Sequence, residues 1–175
     1  MKTVIFYSSK GGCSKECAEI LKKHMGEKDV TVVDVLGEIP DMSSFDLIIL
    51  GGGVRFGKLY KPFRTFMKKY SEEIAKKPHV LFLCCGFLTM ADEYLEKLFP
   101  EALTEGAISL EYFGGELKPE KHNGFMKFVV RWIRNSIADR EDDNDLPDII
   151  ESNISLLATK ILSMKRDIEN DTYNS

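Results

Sequence analysis

Five apolar runs of strand length alternate with segments of helical period along the chain. The runs are residues 3–7, 30–35, 46–51, 79–85 and 107–113. The third and fourth runs have no polar alternation, and strands of that kind belong to parallel sheets that are covered on both faces. The pattern therefore predicts an α/β fold, a doubly wound five-stranded parallel sheet with helices on both faces. Ligands of such folds bind beyond the carboxyl ends of the strands, so functional residues are expected just after each strand.

Helices are predicted after the first, third and fourth strands, where apolar residues recur at helical spacing. An extra helix is predicted after the fifth strand, because residues 125–137 carry one wide apolar stripe. A final helix is predicted to begin at Asp145-Leu146-Pro147. We assign residues 1–167 to a single domain and expect residues 168–175 to form a frayed C-terminal tail.

A loop suited to an anion follows the first strand. It consists of Ser8, Ser9, Lys10, Gly11, Gly12, Cys13 and Ser14. A helix begins at once, and the N–H groups of its first turn together with the positive end of its dipole favour an anion. Ser9 and Ser14 add hydroxyl donors, while the glycines let the backbone approach an oxyanion closely. We interpret this loop as a cradle for one phosphate group.

The spacing of the glycines narrows the choice of phosphate ligand. Neither the dinucleotide pattern G-x-G-x-x-G nor the nucleotide pattern G-x-x-x-x-G-K-[ST] can be written over residues 8–15. The loop resembles the flavodoxin pattern [ST]-x-[ST]-G-x-[ST] at Ser9, Gly12 and Ser14. It departs from that pattern at Gly11, which replaces a hydroxyl residue, and at Cys13, where asparagine is common. The alternative is a glycine-rich turn that binds no ligand.

Two further loops are candidates for holding a flat aromatic ring. The first contains Gly53, Val54, Arg55, Phe56, Gly57 and Lys58, and the second contains Cys85, Gly86 and Phe87. Phe56 can lie against a ring, and Arg55 or Lys58 can stabilise a negative charge on it. Gly57 resembles the flavodoxin glycine whose peptide flips when the flavin is reduced. The alternative places Phe56 on the protein core and leaves Arg55 as a solvated charge.

Composition excludes several classes of protein. The formal net charge of −4 argues against a general nucleic-acid binder, which needs clustered positive charge. No signal peptide is recognisable before the first strand, no apolar run has the length of a membrane span, and no zinc-finger spacing occurs among the four cysteines. We therefore expect a cytoplasmic protein with reduced thiols.

Cys84 and Cys85 are interpreted as small core residues, since a disulfide between neighbours requires a strained peptide.

Residues 122–137 combine aromatic and apolar positions with a basic flank in an acidic protein. This combination predicts contact with a membrane surface or with a partner protein. The alternative is a helix that packs on the sheet edge with its basic side in water.

Across nearly its full length the chain is similar to the flavodoxin domain family, and within it to the menaquinone-dependent protoporphyrinogen IX oxidase branch. The similar segments are Met1-Lys2-Thr3, residues 46–57 with Val54-Arg55-Phe56-Gly57, the helix from Phe63 to Lys69, and Phe125-Met126-Lys127. This resemblance implies a flavodoxin-like fold, an FMN cofactor, and electron transfer with a quinone or a redox partner protein. No side chain need act as a nucleophile, because the flavin performs the chemistry.

The departures from that branch leave the substrate open. Glu116 to Asn123 has mixed charge where the branch is basic and aromatic, and Asn144-Asp145-Leu146-Pro147 stands near the position of a Tyr-Thr-Asp-Trp stretch. Three hypotheses follow: an FMN-dependent electron-transfer protein, a menaquinone-dependent protoporphyrinogen IX dehydrogenase, and a binding module that has lost its flavin.

Overall fold

The structure is a computed structural model, and it describes residues 1–86, 90–115 and 148–173. Five strands form a parallel sheet: β1 (Thr3–Ser8), β2 (Val30–Asp34), β3 (Leu47–Arg55), β5 (His79–Cys84) and β6 (Ser109–Tyr112). Their order is β2-β1-β3-β5-β6, and each neighbouring pair is parallel. The short strand β4 (Lys58–Leu59) is antiparallel to the end of β3. The predicted doubly wound α/β fold is confirmed, with β4 as an addition.

The helices of the described residues are α1 (Cys13–Met25), α2 (Lys61–Ile74), α3 (Ala91–Leu98), α4 (Glu101–Thr104) and α5 (Glu151–Tyr173). Short 3₁₀ helices lie at Glu27–Asp29 and Met42–Ser44. On one face of the sheet, α1 and α5 pack against alternate strand residues such as Ile5, Ile49 and Phe82. On the other face, α2, α3 and α4 cover residues such as Phe6 and Leu50. The strands are apolar on both sides because both sides are covered.

The C-terminal helix differs from its predicted bounds at both ends. It begins at Glu151 rather than in the segment Asp145-Leu146-Pro147, because Ile149 forms an isolated antiparallel bridge with Gly114. Residues 145–147 themselves lie outside the described residues. At the other end, helical backbone continues past residue 167, where the sequence predicts fraying, as far as Tyr173.

The helix predicted after the fifth strand, at 125–137, lies outside the described residues, as does the whole segment 122–137. Its predicted contact with a membrane or a partner therefore stays a prediction. Within the described part of the chain, no helix is long and apolar enough to cross a membrane.

The glycines at the centre of β3 leave room for neighbouring side chains to pack against the strand. A Cβ atom on Gly51 would lie 1.8 Å from Cζ of Phe82, and one on Gly52 would lie 2.7 Å from side-chain atoms of Leu59 and Phe63. The absence of a side chain at Gly51 and at Gly52 thus lets aromatic rings lie directly on the strand, from Phe82 on one face and Phe63 on the other.

Candidate functional site

Three loops lie side by side at the carboxyl edge of the sheet. The register pairs Ser8 at the end of β1 with Gly52 of β3, and Gly53 of β3 with Cys84 at the end of β5. A Cβ atom on Gly53 would lie 3.0 Å from the hydroxyl oxygen of Ser14, so the first loop reaches over β3. The edge combines the loop after β1, the turn after β3 and the start of the loop after β5. This is where the strand order reverses in a doubly wound sheet, and where ligands of such folds bind.

The loop after β1 is held in shape by its own hydrogen bond. The Ser9 hydroxyl oxygen accepts from the backbone N–H of Gly12 at 2.9 Å. Gly12 has a φ of 93°, a conformation that favours glycine, whereas Gly11 is not among the residues with positive φ. Helix α1 starts immediately afterwards without a side-chain cap. The N–H groups of its first turn therefore lack the partner that a capping side chain would provide.

Two buried hydroxyls of this loop have no hydrogen-bond partner among the described residues. Ser8 and Ser14 are each 1% exposed, and the oxygen of neither is paired. A buried polar group without a partner costs about 1–3 kcal/mol. A phosphate oxygen in the loop would give these hydroxyls an acceptor, so the residues present fit a phosphate-bearing ligand. Exposed Lys10 adds a positive charge at the same loop.

A tight hairpin forms the second loop. Val54 pairs with Leu59 and Arg55 with Lys58, so Phe56 and Gly57 alone form the turn. Their φ angles are 50° and 71°, and positive φ at both residues is the geometry of a type I′ turn. The sequence predicts that the strand ends at Gly51 and that a loop follows; this prediction is wrong, because β3 continues to Arg55 and pairs with β4. The hairpin instead places Phe56 at the tip of an extended β3.

The structure decides the alternative for Phe56 and changes the one for Arg55. Phe56 is 69% exposed, so it does not pack on the core. Arg55 is half-buried, and its Nη2 atom is buried without a hydrogen-bond partner in the described part of the chain. Its Cζ atom lies 5.6 Å from the centroid of the Phe56 ring, within the range of a cation–π contact. The turn therefore presents an exposed aromatic ring with a cation beside it. Lys58, the residue after the turn, is exposed as well.

The third loop is fixed through its backbone. Cys85 donates its N–H to the carbonyl of Gly114 at 2.8 Å, and its carbonyl accepts from the Tyr112 hydroxyl at 2.7 Å. Burial, followed by the neighbouring thiols, raises the pKa of Tyr112 to about 12, so the hydroxyl stays a donor at neutral pH. The Cys85 side chain belongs to the core. Because the N–H and the carbonyl of Cys85 are both hydrogen-bonded within the protein, the candidate backbone contacts from this loop are those of Gly86, and Phe87 lies outside the described residues.

Two supporting tyrosines were not found by the sequence interpretation. Tyr112 anchors the third loop, and the hydroxyl of Tyr94 on α3 lies 3.7 Å from the position of a Cβ atom on Gly57. Neither tyrosine belongs to a motif, and both reach the edge only through the packing of α3 and β6. No signal in the sequence identifies them.

The turn conformation of Phe56 leads to a stability prediction. A left-handed conformation costs a non-glycine residue about 1–2 kcal/mol, whereas asparagine tolerates it and Asn-Gly is preferred in type I′ turns. We expect Phe56→Asn to raise the free energy of unfolding by about 1 kcal/mol in urea denaturation of the flavin-free protein. Leu36→Asn is the control, because Leu36 is similarly exposed but does not have positive φ. Equal effects of the two substitutions would contradict the assignment of strain to the turn.

The model of the family described as Flavodoxin domain matches residues 4–145. The chain therefore belongs to the flavodoxin domain family. Protoporphyrinogen IX dehydrogenase (quinone) of Escherichia coli (strain K12) is 28% identical to it over 86 residues, which are 47% of this chain and 47% of that protein. The chain thus spans about half the length of the curated relatives it matches.

Several solved structures are similar to the chain at low sequence identity. The Fusobacterium nucleatum flavodoxin bound to flavin mononucleotide gives a TM-score of 0.48 at 16% identity, covering 63% of this chain and 69% of that chain. A flavoprotein in complex with FMN from Lactobacillus acidophilus gives a TM-score of 0.45 at 17% identity, covering 63% of this chain and 92% of that chain. Rubredoxin oxygen:oxidoreductase from Desulfovibrio gigas gives a TM-score of 0.48 at 12% identity, covering 92% of this chain and 37% of that chain. Because the identities are below 25% and the TM-scores below 0.5, no property of these proteins is carried over to this chain.

Proposed function

We propose that this protein binds FMN at the carboxyl edge of the sheet and transfers electrons between a reductant and an acceptor, either a quinone or a redox partner protein. The observation that carries the proposal is the pair of buried, partnerless hydroxyls of Ser8 and Ser14 in a loop that opens helix α1. Membership of the flavodoxin domain family supports the same ligand.

Each loop of the edge has a role in this proposal. The loop from Ser8 to Ser14 would hold the phosphate through hydroxyl groups, first-turn N–H groups and the charge of Lys10. Phe56 would cover one side of the ring, and Gly86, in the loop that Tyr112 anchors at Cys85, would offer backbone groups to its other edge. When bound, the flavin supplies the electron-transfer chemistry, and the protein supplies position and electrostatics.

The cations of the hairpin favour negative charge at the ring. Arg55 carries a buried nitrogen without a hydrogen-bond partner in the described part of the chain. Lys58 is the residue opposite Arg55 in the register of the hairpin. A positive charge in a partly buried position stabilises an adjacent anion more than it would in water. We infer that Arg55 favours the reduced, anionic form of the cofactor and so raises its reduction potential.

A test of the binding proposal begins with the absorption spectrum of the purified full-length chain. We expect a flavin spectrum, release of FMN on denaturation, and uptake of one FMN per chain when the flavin-free protein is titrated with FMN. Riboflavin, which lacks the phosphate, is the matched control ligand and should bind much more weakly. A colourless protein that takes up no FMN would favour the flavin-less binding module instead.

A second candidate function is protoporphyrinogen IX dehydrogenation with a quinone as acceptor. The similarity over 86 residues to the Escherichia coli enzyme of that name favours it. Steady turnover of protoporphyrinogen by the FMN-loaded protein, dependent on an added menaquinone analogue, would support this candidate. Reduction of the quinone by a chemical reductant without porphyrin turnover would favour simple electron transfer.

A further inference from the structure

Three cysteines, two from α1 and one from the end of β5, place their sulfur atoms close together. The sulfurs of Cys13, Cys17 and Cys84 all lie within 4.8 Å of one another, and Cys84 is hydrogen-bonded to Cys17 at 3.6 Å. Cys13 and Cys17 are one helical turn apart on α1, so they share a face of that helix. Cys84 is the last residue of β5. All three cysteines are in the reduced form.

We propose that Cys13, Cys17 and Cys84 form a binding site for one soft, thiophilic metal ion of the Cu(I) or Zn(II) class. Three sulfurs around one ion at about 2.3 Å would be roughly 4 Å apart. The observed spacing is close to this value. Small side-chain rotations would therefore convert the cluster into a three-sulfur coordination site.

The surroundings select a soft ion over a hard one. Cys17 is fully buried and Cys84 is 3% exposed, and both belong to an apolar core that includes Ala18 and Phe82. The cluster found in the described residues contains sulfur ligands alone, without a carboxylate or an imidazole. Thiolates in apolar surroundings favour copper(I) and zinc, whereas Mg²⁺ and Ca²⁺ require oxygen ligands. Cys13 is only half-buried, which gives an ion a route of entry.

The position of the cluster also favours thiolates once an ion is present. Cys13 is the first residue of α1, where the helix dipole stabilises negative charge on sulfur. Binding would form three sulfur–metal bonds and release three protons to solvent, with no change in the oxidation state of metal or sulfur.

The arrangement of the three sulfurs distinguishes a metal site from a packing role and from a redox role. Buried cysteines commonly act as small hydrophobes, and such a role requires no specific distance between sulfurs. A disulfide between Cys17 and Cys84 would use two of the three sulfurs and would need an oxidant. Only a shared ligand uses all three sulfurs together.

The test uses the full-length, metal-free chain, reduced and kept anaerobic. Cu(I) and, in a separate arm, Zn(II) are titrated in competition with a chelator of known affinity. We expect one ion per chain, release of protons, and a rise in the thermal midpoint with metal. Preferential binding of either ion supports the site and identifies its occupant.

Matched variants locate the site. Cys17→Ala and Cys13→Ala should each lower the affinity more than about tenfold, since even partners outside the coordination shell contribute 10–100-fold. Cys85→Ala is the control, because Cys85 is as buried as Cys84 but is not part of the cluster. Equal loss of binding in Cys85→Ala, or unchanged binding in Cys17→Ala, would overturn the proposal.

A measurement on the unmodified protein covers the case in which the buried variants do not fold. Bound metal should protect half-buried Cys13 from alkylation by iodoacetamide, detected by mass spectrometry after digestion. X-ray absorption of the loaded protein should give about three sulfur neighbours. Alkylation of Cys13 at the same rate with and without metal, or a Cys17–Cys84 disulfide in protein isolated under anaerobic conditions, would refute the site.

Discussion

Gly51→Ala is expected to lower the free energy of unfolding by about 3 kcal/mol, the upper range for an overpacked core. The added Cβ atom would lie 1.8 Å from Cζ of Phe82, far inside any tolerated contact. The Phe82 ring is fully buried and stacks on Phe113 with the ring centroids 4.7 Å apart, so it cannot move aside. Denaturation in urea, followed by circular dichroism, measures the loss.

A double-mutant cycle identifies the cause of that loss. Phe82→Leu removes the ring that the new methyl group meets, so Gly51→Ala should cost less in the Phe82→Leu background than in the natural chain. Leu156→Ala, at a position 68% exposed on α5, should change stability by less than about 0.5 kcal/mol and serves as the surface control. Strict additivity of Gly51→Ala and Phe82→Leu would contradict the proposed contact.

Ser14→Ala is expected to have opposite effects on the flavin-free protein and on FMN binding. The hydroxyl is buried without a partner in the described part of the chain, so its removal should leave the flavin-free protein equally stable or slightly more stable. If the hydroxyl bonds the phosphate of FMN, the substitution should weaken binding by about 1–3 kcal/mol, which is roughly 5–150-fold in Kd. Thermal unfolding and a fluorescence titration with FMN measure the two effects.

Thr3→Val is the matched control for this prediction. Its hydroxyl is also buried without a partner among the described residues, but Thr3 lies at the start of β1, at the edge opposite the loop. Like Ser14→Ala, Thr3→Val should leave the flavin-free protein equally stable or slightly more stable, but it should leave the affinity for FMN unchanged. Ser9→Ala should weaken binding as well, partly by releasing the N–H of Gly12 that the Ser9 hydroxyl holds. Unaltered affinity in Ser14→Ala would remove this hydroxyl from the phosphate site.

The strands and the position of the site were predictable because both follow from continuous apolar runs. Residues 46–50 carry no alternation, so a strand covered on both faces was the expected structure, and the register confirms its central place beside β1 and β5. Once the sheet is parallel, the loops after these strands must meet at one edge. The convergence of Ser8, Gly53 and Cys85 is therefore a consequence of topology that the pattern already contained.

The hairpin was not predictable, because its turn has an unfavourable residue. Type I′ turns prefer Asn-Gly, and nothing about Phe56 in the sequence indicates a left-handed conformation. The three consecutive glycines of β3 also resembled a loop more than a strand. Their role becomes visible only when the rings of Phe82 and Phe63 are placed against them. Tertiary packing decided the conformation here, against local preference.

The cysteine cluster depends on a contact between residues that are 67 positions apart. The spacing of Cys13 and Cys17 fits one face of a helix, but a single sequence does not show that Cys84 lies opposite them. Cys84 and Cys85 were interpreted together because they are adjacent, and the alternation of the strand separates them. Cys84 faces α1, whereas Cys85 faces the core that α2 covers.

The parallel order of the sheet has a consequence for the kinetics of folding. Before β1 and β3 can join, the chain must bring together residues as distant as Lys2 and Asp46, which are 44 positions apart and hydrogen-bonded. Contacts of such long range form only after the chain has lost the entropy of closing a long loop. This loss comes before the contacts can stabilise the fold, and it makes folding slow. The ligand edge comes into existence only after the three central strands have joined. Recovery of flavin binding during refolding should therefore report a late event in assembly.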